Sequence, residues 1–370
     1  MRVLMLTCNT GEGHNSAARA IKEHFDNAGI YCEMADSLAF LSQKASNFIC
    51  KWNIRLYKRA PMLFGFGYKT AEKTDIKHKK SMIYEIVGKG ARKLIKKIES
   101  GNFDTVICTH PFAAMTLTRA IVKYKLCIKK SYFIATDYTC SPGVSTSKLD
   151  HYMIAHESLI DEFVEHDIPK EKIFPSGIPV SSKILSPLSG EECKKELAIA
   201  RDKRVILLMC GSVGCGPMKV IARKLSELLR EDEMLVVICG TNYSLYNKLK
   251  ELQDPRCVRI LGYTNKIPLY LNCASLIITK PGGLSSTEAA ASHLPMILID
   301  AVAGVETHNM DFWVNNSMAK TARTSEEIST LARYLMDNED ELSKMRNKLS
   351  ESFKESSSEK IFRFVLENDK

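Results

Sequence analysis

The sequence predicts an α/β protein made of two doubly wound Rossmann-like domains. Short β-branched or apolar runs alternate with helical periodicity almost throughout, the mark of repeated βα units on parallel sheets. Each half opens alike, with a strand, a glycine-bearing loop (TCNTGEGHNSA, then MCGSVGCGPMK) and a helix. The length of 370 residues exceeds one ordinary core and suits two domains of about 150 to 200 residues each.

Strands are expected in the first half at 3–6, 30–34, 105–109, 131–135 and 152–154. In the second half they fall at 205–209, 234–239, 258–261, 276–279 and 296–299. The polar, proline-punctuated stretch 179–192 divides the halves, so the domains are placed at 1–185 and 186–350. Residues 351–370 end in a helix whose Ile361, Phe362, Phe364 and Val365 are expected to pack back on the first domain.

Apolar residues make up 45% and charged residues 26%, a globular composition. No apolar run approaches the roughly 18 to 20 residues of a membrane span, and MRVLMLTCNTG reads as a first strand rather than a signal peptide. A cytoplasmic protein is expected. The twelve cysteines form no CxxC pair, and Cys8, Cys108, Cys210 and Cys239 close apolar runs, which fits small buried residues in a reducing compartment.

The net charge of +9 is concentrated. Between residues 44 and 80 ten basic side chains, among them Arg55, Lys58 and Arg59, face only Glu72 and Asp75. Trp52, Phe64, Phe66 and other large apolar residues are interleaved with them. That mixture suits the face of an anionic bilayer; the competing reading is a lysine-covered helix pair with a buried aromatic stripe. No RNA-binding or helix-turn-helix signature accompanies the charge, so nucleic acid is not expected as a partner.

The stretch KPGGLSSTEAA, 280–290, follows the apolar run ASLIIT. Two glycines before a helix let a ligand approach backbone N–H groups at its positive end, a ready phosphate site. The alternative is a capping box, with Ser285 as N-cap and Glu288 three residues on. Position favours the ligand, because the motif closes a strand in a doubly wound domain.

GEGHNSAARAI, THPF, TDYT, GIPV, CGSVGCGP and KPGGLSSTEAAASHLPMILIDAVAGVETHN, taken in order, resemble the monogalactosyldiacylglycerol synthase and processive diacylglycerol glucosyltransferase family. The resemblance implies a GT-B architecture, two Rossmann-like domains facing across a cleft, with nucleotide sugar in the C-terminal one and acceptor in the N-terminal one. It places the pyrophosphate on Gly282, Gly283, Ser285, Ser286 and Thr287, and the ribose hydroxyls on Glu288. Glu306 and Asn309 would meet the sugar, Gly211, Ser212 and Gly214 would border the phosphates, and Tyr263 would form a ledge for uracil. Many relatives carry Gln-Glu in the sugar loop where this chain has Val305 before Glu306, which leaves the identity of the hexose open.

Glycosyl transfer needs a base and a holder for the departing diphosphate. His14, in a loop after the first strand, and Asp137, in ATDYT, are the candidate bases. Gly13 and His110 are expected at the acceptor pocket. The helix N-terminus, aided by Lys280, can hold the diphosphate without a metal, so no metal or other cofactor is expected. The predicted activity is inverting transfer of a hexose from a UDP-sugar to a diacylglycerol-type lipid, by a peripheral enzyme of the inner membrane face. Rival readings are a cell-wall lipid glycosyltransferase, a UDP-sugar epimerase, and an NAD-dependent oxidoreductase with Gly11, Gly13 and Asp36 as its fingerprint.

Overall fold

The computed structural model describes residues 1–9, 11–44, 46–48, 82–185, 188–299 and 304–369. The chain forms two compact units. One comprises Met1–Ser181, Val302–His308 and Glu355–Lys370, the other Ser182–Ala301 and Asn309–Lys354.

The first unit carries a parallel sheet of β1 (Val3–Thr7), β2 (Cys32–Asp36), β3 (Thr105–Cys108), β4 (Lys130–Ile134), β5 (His151–Ile154) and β6 (Ile173–Pro175). Their spatial order is β2-β1-β3-β4-β5-β6. The central strands are buried along their length because helices cover both faces, which is why VLMLT and TVIC read as unbroken apolar runs. The helix Glu12–Asn27 gives Ala18, Ile21 and Phe25 to the core. The final helix, Ser357–Glu367, adds Ile361 and Val365 to the same core. Its Phe362 meets Phe25 edge-on at 5.1 Å between ring centres, and its Phe364 stacks on Phe174 at 4.3 Å.

The second unit repeats the plan with β7 (Arg204–Met209), β8 (Glu233–Ile238), β9 (Val258–Leu261), β10 (Ala274–Thr279), β11 (Met296–Leu298) and β12 (Ala319–Thr321). Their order is β12-β11-β10-β7-β8-β9, with every pairing parallel. At the strands' amino ends the fully buried Glu233 takes both guanidinium nitrogens of Arg333, at 2.6 and 2.8 Å, and Arg204 at 2.8 Å. This ties the helix Ser325–Asp337 to β7 and β8 on the side away from the strand carboxyl ends.

All ten expected strands are present, most displaced by one or two residues. The two strands absent from the sequence reading, β6 and β12, are three-residue edge strands (IFP and AKT) too short to show a period. Among the described residues no helix is long and apolar enough to cross a membrane.

In a doubly wound sheet the ligand crevice opens at the strand carboxyl ends where the winding reverses. That point lies between β1 and β3 in one sheet and between β7 and β10 in the other.

Candidate active site

At the first switch point, β1 leads through Gly11 into the helix Glu12–Asn27, so Gly13 and His14 occupy that helix's first turn. The half-buried His14 ring is held from behind. Its Nδ1 donates to the carbonyl oxygen of Thr109, 2.7 Å away at the end of β3, and lies 3.0 Å from the hydroxyl of Thr136 after β4. A carbonyl can only accept, so the Nδ1 proton is fixed and Nε2 is left as the basic nitrogen. Burial pushes the His14 pKa down to about 4, against a smaller upward pull from the Thr109 carbonyl. The ring is therefore neutral at pH 7.

Asp137 adjoins this corner through Thr136, whose hydroxyl points to its Oδ2 at the limiting distance of 3.5 Å. His110 lies edge-on to His14 with ring centres 4.4 Å apart. It caps the helix Pro111–Tyr124, its Nδ1 accepting the Phe112 N–H at 3.0 Å. Burial first, and the neighbouring His14 second, hold His110 well below the usual histidine range.

Asp36 caps the short turn Ser37–Phe40 through the Leu38 N–H and accepts from Asn9 and Ser46. Its carboxylate is thus engaged locally, which removes the ribose-binding acid of a dinucleotide fingerprint. Asn9 in turn accepts from Asn15, which takes the Thr7 hydroxyl at 2.8 Å, so a polar chain pins the start of the His14 helix to β1.

At the second switch point the helix spans Gly283–Ala291 and its N-cap is Gly282, with no side chain capping it. This excludes the capping-box alternative: Ser285 lies inside the first turn, where its side chain cannot reach back as a cap, and Glu288 lies too far along the helix to complete one. Ser286 donates to the Gly282 carbonyl at 2.8 Å and Thr287 to that of Gly283 at 2.6 Å, so the hydroxyl protons turn into the helix, and among the described residues no side chain caps the backbone N–H groups of its first turn. Trp313 Nε1 braces Ser286 at 2.8 Å, and the fully buried Asn309 donates to the Pro281 carbonyl at 3.0 Å. Asn309 thus supports the KPGG turn from beneath. Glu306 lies in the first turn of the helix Val305–Asn315 and is buried.

The Lys280 side chain lies across the glycines on both sides of this switch. A Cβ at Gly211 would stand 3.2 Å from Lys280 Cε, and one at Gly282 3.7 Å from it. The Gly211–Gly214 turn is clasped by the loop after β8: Thr241 N–H and Asn242 Nδ2 donate to the carbonyls of Ser212 and Gly214, each at 2.8 Å. Gly240 makes this possible, since at φ +57° a Cβ there would lie 2.2 Å from the Ser212 oxygen.

Glu288 has no donor within hydrogen-bond reach among the described residues, and burial alone pushes its pKa up to about 7. Tyr263 is 72% exposed after β9, a ring open to stacking. The aromatic and basic candidates Trp52, Arg55, Lys58, Arg59, Phe64 and Phe66 lie outside the described residues.

Sequence reasoning missed Thr109 and Thr136 as the residues that set the His14 tautomer, and Trp313, Thr241 and Asn242 as loop braces. The two threonines are the first residues of the noted motifs THPF and TDYT. Their role depends on strands adjacent in space, 95 and 122 residues away from His14 along the chain.

Two switch points of this kind on two parallel sheets define a GT-B protein, and solved structures agree. MurG of Acinetobacter baumannii matches with a TM-score of 0.64 over 99% of both chains at 15% identity. UDP-GlcNAc 2-epimerase of Neisseria meningitidis, bound to UDP-GlcNAc, matches at 0.61 over 99% of this chain and all of that one, at 14% identity. The fold is thus shared with an epimerase and does not by itself fix the activity. The family models discriminate further: residues 14–180 match monogalactosyldiacylglycerol synthase, and 205–361 match the glycosyltransferase family 28 C-terminal domain. Among curated proteins, the processive diacylglycerol beta-glucosyltransferase of Bacillus cytotoxicus is 24% identical over 100% of this chain and 94% of its own length. That of Bacillus cereus is 26% identical over 95% and 90%. The chain belongs to the monogalactosyldiacylglycerol synthase and processive diacylglycerol glucosyltransferase family.

Proposed function

We propose that this protein is an inverting glycosyltransferase that moves a hexose from a UDP-sugar to a diacylglycerol-type lipid. The observation that carries the reading is the glycine-preceded helix N-terminus beside Lys280 at the second switch point, which no side chain caps among the described residues. Family membership supports the same reading.

In this mechanism His14 Nε2 takes the proton of the lipid hydroxyl as its oxygen attacks the anomeric carbon. The bond from that carbon to the diphosphate breaks, and the electron pair leaves with UDP. The N–H groups from Gly283 to Ser285 and the Lys280 ammonium stabilise the departing charge. Attack opposite the leaving group gives a β-linked product from an α-linked donor. The Thr109 carbonyl keeps the His14 Nδ1 proton in place, and Asp137 shares in orienting the ring through Thr136. Glu288 accepts the ribose hydroxyls, Tyr263 stacks on the uracil, and Glu306 contacts the hexose. No metal takes part. The basic aromatic segment at 44–80 would hold the enzyme on an anionic inner membrane surface, where its acceptor resides.

One assay tests this. Purified protein with UDP-glucose or UDP-galactose and diacylglycerol vesicles should yield a lipid heavier by one hexose, with and without EDTA. Hydrolysis or epimerisation of the UDP-sugar without a lipid product would overturn the reading. Activity lost in EDTA and restored by a divalent ion would overturn only its metal independence.

A further inference from the structure

Two histidines meet at the β1 and β3 ends, and hydrogen bonds give them opposite tautomers. His14 donates through Nδ1 to a carbonyl, so its Nε2 carries a lone pair. His110 accepts the Phe112 N–H at Nδ1, so its Nε2 carries the proton. Neither Nε2 bonds to a described residue, and neither is among the fully buried unpaired atoms. With ring centres 4.4 Å apart, a bare acceptor and a neutral donor lie within the span of one small molecule.

We propose that His110 selects the acceptor: its Nε2–H donates to an ester carbonyl oxygen of the glycerolipid while His14 receives the proton of the neighbouring hydroxyl. The proposal rests on the transfer reading above. The hydroxyl oxygen itself is a poor partner for His110. Its lone pair must reach the anomeric carbon, and a second donor would hold those electrons back. The next acceptor atoms in a diacylglycerol are the ester oxygens, of which the carbonyl is the stronger. Protonating His110 at Nδ1 would break the helix cap and put a cation at a positive helix end, so the donor stays neutral through the reaction. That suits a partner which bears no charge.

The test compares transfer to dioleoylglycerol and to the dioleyl ether of glycerol, each in phosphatidylglycerol vesicles. The ether offers the same hydroxyl and chains without carbonyls. The wild type should favour the ester by about tenfold or more in kcat/KM, the scale of one hydrogen bond lost at a site built for it. His110→Asn and His110→Asp both keep an oxygen for the Phe112 N–H and so preserve the cap. Neither has an N–H as far out as Nε2, so the ester-to-ether ratio should fall toward one, with circular dichroism confirming the fold. A wild-type ratio near one, or variants that keep the wild-type ratio, would overturn the proposal. The wild-type ratio needs no variant, so it decides even where both substitutions fail to fold. Transfer to neither lipid would instead defeat the transferase reading.

Discussion

The two switch points bury titratable groups of opposite kind, and they treat them differently. His14 sits in a completed frame: a carbonyl fixes its proton, a threonine flanks it, and a second histidine packs on its edge. Glu288 is pushed toward its neutral form by burial too, yet no donor among the described residues reaches it. Burial thus penalises the charged form of both groups, which moves the two pKa values in opposite directions. The first unit therefore holds an imidazole whose proton is fixed by its neighbours, whereas the second holds a carboxyl group that no described donor satisfies.

Removing the framed group should have the largest effect. His14→Ala should lower turnover about a hundredfold or more, the scale of general-base loss, while UDP-hexose affinity measured by calorimetry holds. Turnover close to wild type would move the base to Asp137.

Next comes the loop that shapes the donor side. Gly240→Ala forces a side chain into a left-handed position against the Ser212 carbonyl and should cost about 2 kcal/mol or more in urea unfolding. An unchanged midpoint would mean that the clasp between the loops after β7 and β8 gives way easily.

A smaller effect tests the incomplete site directly. Hydroxyl donors favour ionised Glu288, so UDP-hexose should bind more tightly at pH 8 than at pH 6 and release a proton near pH 7, visible as buffer-dependent heat. Glu288→Gln should flatten that dependence and weaken binding about tenfold. A pH dependence that survives the substitution would show that another group titrates.

The last effects are on the pH dependence of stability, and they separate the two units by sign. The folded pKa of His14 lies below its unfolded value of 6.5, so the unfolded chain takes the proton first and stability falls as pH drops from 6.5 toward 4. Glu288 has a folded pKa above its unfolded 4.5, so its contribution is present below that value and is lost as pH rises toward 7. Each slope should approach about 1 kcal/mol per pH unit. His14→Gln should remove the first and Glu288→Gln the second, read as urea midpoints against pH.

Much of this was legible in the chain. Apolar runs such as RVILLM and ASLIIT must be buried on both faces, and helical stretches between them force parallel pairing, so ten strands and two doubly wound sheets follow from pattern alone. The glycine turns and the motifs around His14, Lys280 and Glu288 were legible for the same local reason: backbone conformation and charge are properties of short stretches. The S-x-x-E pattern offered Ser285 as a rival cap, but the chain enters the helix two residues earlier, at Gly283.

The sequence by itself determined which segments become strands, where glycine must bend the chain, and which residue types stand ready at the strand ends. Only the tertiary structure decided which nitrogen of His14 carries its proton, that His110 holds the opposite tautomer, and that no donor among the described residues reaches Glu288. Those properties depend on atoms brought together by neighbouring strands far apart in the chain, and burial by the whole fold, rather than any local pattern, sets the charge of each group.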